Sequence, residues 1–538
     1  MSIAAIRVWS EMYMEERYKK DQKKLKKSDL VQDKVHHDIK SESEELNQTE
    51  DTVNSDEKLE TGKLDKAEKQ QKKRNEQVKE LLKQANKYPE IDINDSRYEQ
   101  YKFTVLEALS ASGLRSIRYA KEIPGIKSII SNDLLASAVD SIQKNAVHNN
   151  VADIVQPNQG DACQVMYKAI GDKKSFHVVD LDPYGSAAPF LDGAIQTVAE
   201  GGLLCVTCTD LAVLAGSQPE ACWMKYGGMN VPLAPYTHEM ALRILLHAIQ
   251  TSAAKYRISI EPLMSCSIDF YIRVFVRVRH SANLAKQASS KTSMIYTCQG
   301  CKSYMVQPIG KFIETKKGSK YGAATVTGSS SCDHCGYPTH IAGPFYSGYL
   351  HNEEFLARMS GHLAKNQHYG TWERMSGFVT MLSEELPNPF YHVLSRACAV
   401  LHCRSPPLMA FVSGLLSAGY KVSNSHACPQ SIKTDAPTSV FWDVLRRWCE
   451  KNPPNVSETS PGHAILAKEA KTEVSFELHK DAEPRSAVLQ MVRFQENPAP
   501  FWGPKVTILK SLKYRVDQEK KSRQKFQHQR KERDQMKK

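Results

Sequence analysis

Asp182-Pro183-Tyr184-Gly185 follows the apolar run Phe176-His177-Val178-Val179-Asp180-Leu181, so its polar groups stand where a strand should end. An exocyclic amine on a nucleobase is a poor nucleophile, because its lone pair is delocalised into the ring. A site that methylates such an amine needs acceptors for its N–H groups and a surface to hold the base. Asp182 and the carbonyl of Pro183 are suited to accept those hydrogen bonds, and Tyr184 to stack on the base. The same tetrapeptide also reads as a turn that merely closes a strand, and the residues alone leave both readings open.

Metal-ligand spacing occurs as well. Cys298-Gln-Gly-Cys301 and Cys332-Asp-His-Cys335 are two CxxC pairs separated by 30 residues, with Gly300 and Gly336 allowing tight turns. Four thiolates so arranged suit tetrahedral, structural Zn²⁺, and the length between the pairs costs only logarithmically in loop entropy. Reduced cysteines without metal are the alternative. His334 is not expected to ligate, since Cys332 and Cys335 complete their pair. Cys205-Val-Thr-Cys208 has the same spacing but lies in an apolar strand, where residues three apart face opposite sides, and is expected in the core.

The elements that must position these groups begin at Phe103, where short apolar runs alternate with helical patterns, the mark of strands joined by crossover helices. Strands are expected at 104–109, 128–133, 154–155, 176–181 and 202–209, and helices at 114–122 and 136–148. The run 268–278 alternates polar and apolar residues and reads as a late strand of the same sheet. The fold class is α/β: a Rossmann-like, doubly wound domain with a parallel core. Its polar strand ends are Glu107 with Gly113, Asn132-Asp133, Gly160-Asp161-Ala162, and Asp180 with the tetrapeptide. They suit a nucleoside-bearing cofactor: a small-residue turn for close approach, an acid for ribose hydroxyls, then an acid near the adenine. Only Gly113 survives of a GxGxxG pattern, which disfavours a nicotinamide dinucleotide. Glu107 and Asp133 could equally cap helices.

The rest of the 538-residue chain sets the context. With 41% hydrophobic and 25% charged residues it is neither wholly disordered nor membrane-embedded, and it lacks the basic-then-apolar start of a signal peptide. Thirteen cysteines, an odd number, argue for reduced thiols. The expected organisation is a domain start at 1–15, a charged low-complexity insertion at 16–99, and the α/β domain at 100–280. A polar linker near 281–293, a zinc module at 294–345, a mostly helical domain at 346–504 and a basic tail at 505–538 follow. The tail holds 13 Lys or Arg against 4 Asp or Glu, most of the net charge of +12, and predicts a polyanion partner or a nuclear-import receptor. Lys72-Lys73-Arg74 is a second basic cluster. Arg273, Arg277, Arg279 and Arg446-Arg447-Trp448 either contact phosphate or pair with acids.

The strings from Glu107 through Ser110-Ala111-Ser112-Gly113-Leu114-Arg115 to Arg118, Asn132-Asp133, Asp180 to Ser186 and Gly201 to Asp210 resemble the eukaryotic tRNA (guanine-26-N2)-dimethyltransferase family. The likeness runs on through His426-Ala427-Cys428 and Lys433 to Pro437, then to Asn497-Pro498 and Trp502-Gly503-Pro504. It implies an S-adenosyl-L-methionine-dependent enzyme that places one or two methyl groups on the N2 amine of guanine 26 in tRNA, extruding the base from its stack. Carried over by motif, Arg115, Asp133, Asp161 and Ala162 would contact the cofactor, Asp182 would orient the amine, and Tyr184 would flank the base. Family members also carry, before the stretch matching Ser2 to Arg7, a segment that helps close the cofactor site; the resemblance implies that it is missing here, with any mitochondrial presequence. A nuclear location is expected, with mitochondrion or cytoplasm as alternatives, no membrane association, and a monomer by default. Two other readings stay open: amine methylation on another RNA or DNA base, and a non-catalytic RNA-binding or chaperone protein.

Overall fold

The computed structural model describes residues 1–33, 66–89, 91–316 and 318–494; the basic tail and the strings from Asn497 to Pro504 lie outside them. Seven strands form the principal sheet: β1 (Phe103–Glu107), β2 (Ile126–Asp133), β3 (Val155–Gln159), β4 (Phe176–Leu181), β5 (Val198–Cys208), β6 (Ile258–Ile268) and β7 (Tyr271–His280). Their order is β3-β2-β1-β4-β5-β7-β6. The first five run parallel, and β7 is antiparallel to both neighbours. The expected doubly wound sheet is present. Strand order reverses between β1 and β4, which is where such sheets open a crevice beyond their carboxyl ends.

The run expected as one late strand is the second arm of a hairpin. Asp269, at φ +49°, turns the chain between β6 and β7. Cys205 and Cys208 are buried in β5 and belong to the cores on opposite faces of the sheet, as their spacing predicts.

The charged insertion needs correction at its C-terminal flank. α1 spans Ser2–Asp33, and its first half is core: Ile6, Trp9 and Met14 are buried, and Trp9 Nε1 donates to the Gly201 carbonyl at 3.2 Å. α2 (Lys66–Ala85) is polar overall, yet Gln77 and Leu81, one turn apart, are buried, and Arg74 lies over the Trp372 ring. Ile91, Ile93 and Tyr98 are buried too. One buried apolar residue and a buried Gln77 that donates to the Leu489 carbonyl suffice because α2 docks on the helix Glu353–Lys365 instead of standing alone. That helix and Trp372–Glu384 share one core with α1 and the sheet, so the core crosses the boundary expected near 345.

The expected linker is helical at 282–291 and passes into the strand Thr292–Cys298. This strand is central in a three-stranded antiparallel sheet, between Tyr304–Pro308 and Thr339–Tyr346. The remaining helices, Leu394–Leu401, Leu408–Ser417 and Thr438–Lys451, surround Phe411, Leu415, Phe441 and Leu445.

A buried ionic cluster ties this last region to the helix Thr237–Lys255 behind the sheet. Lys433 Nζ lies 2.7 Å from Glu385 and 3.1 Å from Glu239, and Glu239 pairs with Arg243 at 2.8 Å. Two strings that carry the resemblance, at His426 and Lys433, fall on this cluster. His351, Glu385 and His426 are close enough to suggest a metal, but His426 Nε2 accepts from the Ser267 amide, so its Nδ1 carries the proton that it donates to Glu385 at 2.6 Å. A metal at Nδ1 would force a proton onto Nε2, against the amide N–H. Lys433→Met should leave buried Glu385 without a permanent cation, Glu239 keeping Arg243, and destabilise the chain by about 3 kcal/mol, read as a lower urea midpoint.

Candidate active site

The cleft at the switch point has a volume of about 960 Å³. Its floor follows from strand register. Glu107 of β1 is paired with Asp180 of β4, and Thr207 of β5 with Arg273 of β7, so their side chains lie on one face at the strand ends. α3 (Leu114–Glu122) covers that face and brings Arg115 and Tyr119 down to the acids.

Arg115 ties three carboxylates together. It reaches Glu107 at 3.0 Å, Asp182 at 2.5 Å and Asp180 at 3.8 Å. Asp180 also receives the Arg273 guanidinium at 2.7 Å and the Tyr119 hydroxyl at 2.7 Å. Burial alone would raise the Asp180 pKa; Arg273, Arg115 and the Tyr119 hydrogen bond outweigh it and hold the carboxyl below its usual range. Glu107 has weaker compensation, and burial leaves its pKa raised despite Arg115 and Ser116. Two guanidiniums thus face three carboxylates, and the acidic surplus suits a cationic ligand centre. Asp180→Ala should strand Arg273, which is 5% exposed, and cost about 3–5 kcal/mol, read as a lower urea midpoint.

The rim is built from turns. Ser110 to Gly113 leaves β1 through Ala111 at φ +49° and Gly113 at φ +75°; a Cβ on Gly113 would also come within 3.1 Å of Ile142. Asp133 accepts from the Ala111 amide at 2.9 Å and the Leu135 amide at 3.0 Å, fixing its carboxylate between this turn and α4 (Ala136–His148). Leu134 and Leu135 are exposed beside it, an apolar shelf next to an acid that can receive ribose hydroxyls. Asp182, Pro183 and Tyr184 line the opposite lip, with the Tyr184 ring fully exposed. Gly185 and Thr209 exchange two hydrogen bonds that anchor this lip.

The structure therefore brings Glu107, Arg115, Asp133, Asp182, Pro183 and Tyr184 to the cleft, with Asp180 beneath them. Glu107 is spent on Arg115 and on the Ser116 amide of α3, the capping alternative. Asn132 faces inward and bonds the Ala108 and Gly160 carbonyls, tying β1 to β3. Asp161 caps α5 (Ala162–Gly171) through the Gln164 amide, and Ala162 is buried; both sit beyond β3, and neither lines the cleft. Arg273 and Tyr119 belong to the site's support, and Leu134-Leu135 to its rim. The sequence signal for this pair was two apolar residues directly after a strand-end acid.

The arginines left open by the sequence pair with acids: Arg273 with Asp180, Arg277 with Glu261, Arg279 with Glu16, Arg446 with Asp443 and Arg447 with Glu450. They are part of the fold's internal charge balance.

The four cysteines expected to bind zinc converge. Cys298 and Cys335 Sγ are 3.3 Å apart, Cys301 and Cys332 Sγ 3.6 Å, all four are buried, and all lie within 4.8 Å of one another. Zn–S bonds of about 2.3 Å in a tetrahedron require S···S separations of about 3.8 Å, so the donor set fits zinc. No helix among the described residues is long and apolar enough to cross a membrane.

Residues 1–446 match the family described as N2,N2-dimethylguanosine tRNA methyltransferase. A tRNA (guanine(26)-N(2))-dimethyltransferase of Schizosaccharomyces pombe is 50% identical over 417 residues, covering 75% of this chain and 75% of that protein. A Drosophila melanogaster protein of the same name is 44% identical over 487 residues, covering 87% and 84%. Among solved structures, Trm1 from Pyrococcus horikoshii with S-adenosyl-L-methionine aligns with a TM-score of 0.54 and 25% identity, covering 70% of this chain and 93% of that one. On the extent of these matches and on the sheet, cleft and cysteine cluster described above, the chain belongs to the N2,N2-dimethylguanosine tRNA methyltransferase family.

Proposed function

We propose that this chain methylates the exocyclic N2 amine of guanine 26 in tRNA, once or twice, with S-adenosyl-L-methionine as donor. The observation that carries the reading is the pairing of Asp182, held by Arg115 at 2.5 Å, with the fully exposed Tyr184 ring at the mouth of a nucleoside-sized cleft. When bound, S-adenosyl-L-methionine supplies a methyl group on a sulfonium centre. Asp133 would hold its ribose hydroxyls, Leu134 and Leu135 its base, the turn Ser110–Gly113 its close-packed edge, and the acidic surplus of Glu107, Asp180 and Asp182 its positive charge. Asp161 and Ala162, beyond β3 and outside the cleft, would meet the adenine edge only where the cofactor reaches past Asp133.

Arg115 holds Asp182 by Oδ2, so the amine of the target base has Oδ1 to donate to. Accepting that N–H draws the nitrogen lone pair out of conjugation and takes up the proton that a methylated amine sheds. The Pro183 carbonyl receives the second N–H, and Tyr184 stacks on the base. A second methyl needs only that one N–H remain for Asp182. Asp133→Ala should weaken S-adenosyl-L-methionine binding by roughly ten-fold or more, the worth of a charged hydrogen bond, while tRNA affinity is kept; calorimetric titration with each ligand checks it. The basic composition of 505–538 supports tRNA contact and nuclear import, and we assign the chain to the nucleus as a monomer.

A further inference from the structure

The helix Pro219–Tyr226 is fastened to the loop that carries Asp182 and Tyr184. Its last residue, Tyr226, is buried; the hydroxyl accepts from Ser186 Oγ at 2.7 Å and donates to Asp210 at 2.8 Å. Lys225 adds an ion pair to Asp210 at 3.4 Å. Ser186 is two residues from Tyr184, and Gly185 between them is bonded to Thr209, beside Asp210. Loop and helix are thus one rigid lip. Cys222, one turn before Tyr226, faces the core. Trp223 lies three residues before Tyr226 and so is its neighbour on the helix surface, while Met224, two residues before Tyr226, projects from the opposite side. Trp223 is 51% exposed and Met224 82%. A half-exposed indole thereby stands on the helix that is fastened to the Tyr184 loop.

Extruding a base exposes the faces of the bases above and below it. Apolar and aromatic side chains cover such faces without regard to sequence, because every base presents a π-face. Resting on the reading of the chain as a tRNA guanine N2-methyltransferase, we propose that Trp223 is a positioning residue that packs on a base flanking the target guanine and holds it out of the stack. The occupant of this surface is RNA, since its helix is fastened to the lip where the target base must enter.

The test uses the full chain, with Trp223→Ala and Trp223→Phe, beside Met224→Ala on the other side of the helix and Leu478→Ala elsewhere on the fold as exposed apolar controls. Single-turnover methylation is measured on unmodified tRNA and on tRNA in which a mismatch leaves the target guanine unpaired. A 2-aminopurine next to that guanine reports stacking directly. Trp223→Ala should slow transfer to paired tRNA by roughly ten-fold or more. Trp223→Phe should restore most of the rate, the mismatched substrate should rescue the alanine variant, and S-adenosyl-L-methionine affinity should not change. The quenching of 2-aminopurine by the wild type should be lost in Trp223→Ala. A Trp223→Ala chain that matches the controls, or that loses equally on both substrates, would overturn the inference while leaving the function standing. A wild-type chain that methylates no tRNA would overturn the functional reading and this inference with it.

Discussion

Asp182→Ala should lower the rate of methyl transfer by about 10²–10⁴-fold while tRNA affinity stays nearly unchanged. The side chain is 36% exposed and carries no part of the core, so its removal leaves no buried cavity. Arg115 keeps Glu107 at 3.0 Å and remains paired, and Asp180 keeps Arg273 and Tyr119. What disappears is the acceptor that directs the amine lone pair and receives its proton. Asp182→Asn preserves shape but offers an uncharged acceptor and a competing donor, so it should fall between wild type and alanine. Single-turnover rates with labelled donor, beside filter-binding of tRNA, separate the two quantities. Wild-type transfer by the alanine variant would remove Asp182 from the chemistry, and equal losses of binding and rate would make it a binding residue.

Loss of zinc should have the largest effect on stability. The four cysteines are not a peripheral appendage: Cys301 Sγ lies 3.1 Å from Ser303 Oγ, which accepts from Trp442 Nε1 at 2.9 Å, and all four share a core with Leu394, Phe411 and Leu445. A structural zinc contributes an apparent ~10–16 kcal/mol in small zinc-binding peptides, comparable with the whole stability of a domain. Chelation, or Cys301→Ser, should therefore unfold the 292–346 sheet and loosen the helices packed on it. Metal analysis should give one zinc per chain, lost in Cys301→Ser and retained in Cys205→Ser, and the melting temperature of the stripped chain should fall by about 10 °C or more. A metal-free chain melting like the native one would show the cluster to be four buried thiols.

Much of the sheet was legible because its parallel strands are short apolar runs that end in polar residues at the cleft, as in β2 at Asn132-Asp133 and β4 at Asp180. α3 and α4 were legible because Gly113 and the Asp133 turn mark their starts. β6 was not: Pro262 and a bulge between Pro262 and Met264 break its pattern, and burial on both faces removes the alternation. α2 was hidden because a sequence window rich in Lys and Glu says nothing of the helix against which Leu81 packs.

The site divides along the same line. Strand-end acids and the Asp-Pro-Tyr-Gly turn are local signals, and Glu107, Asp133, Asp182, Pro183 and Tyr184 do meet at the cleft. Which of them faces the cavity is a matter of pleat and register. Asn132 and Asp133 are adjacent, yet one ties strands and the other lines the rim. Alternation with apolar residues does not decide between phosphate and an acid as the partner of Arg273; both faces of β7 are covered, and register sets Arg273 opposite Thr207 and over Asp180. Trp223 carried no signal beyond being apolar, and the fastening of its helix to the lip depends on Tyr226 reaching Ser186 across 40 residues of chain.

The central claim is tested most directly by nucleoside mass analysis of unmodified tRNA incubated with this chain and S-adenosyl-L-methionine, with Asp182→Ala alongside. The account predicts N2-methylguanosine and N2,N2-dimethylguanosine, both mapping to position 26 and both absent with the variant. No methylated guanosine, methylation at another base, or undiminished product from Asp182→Ala would contradict it.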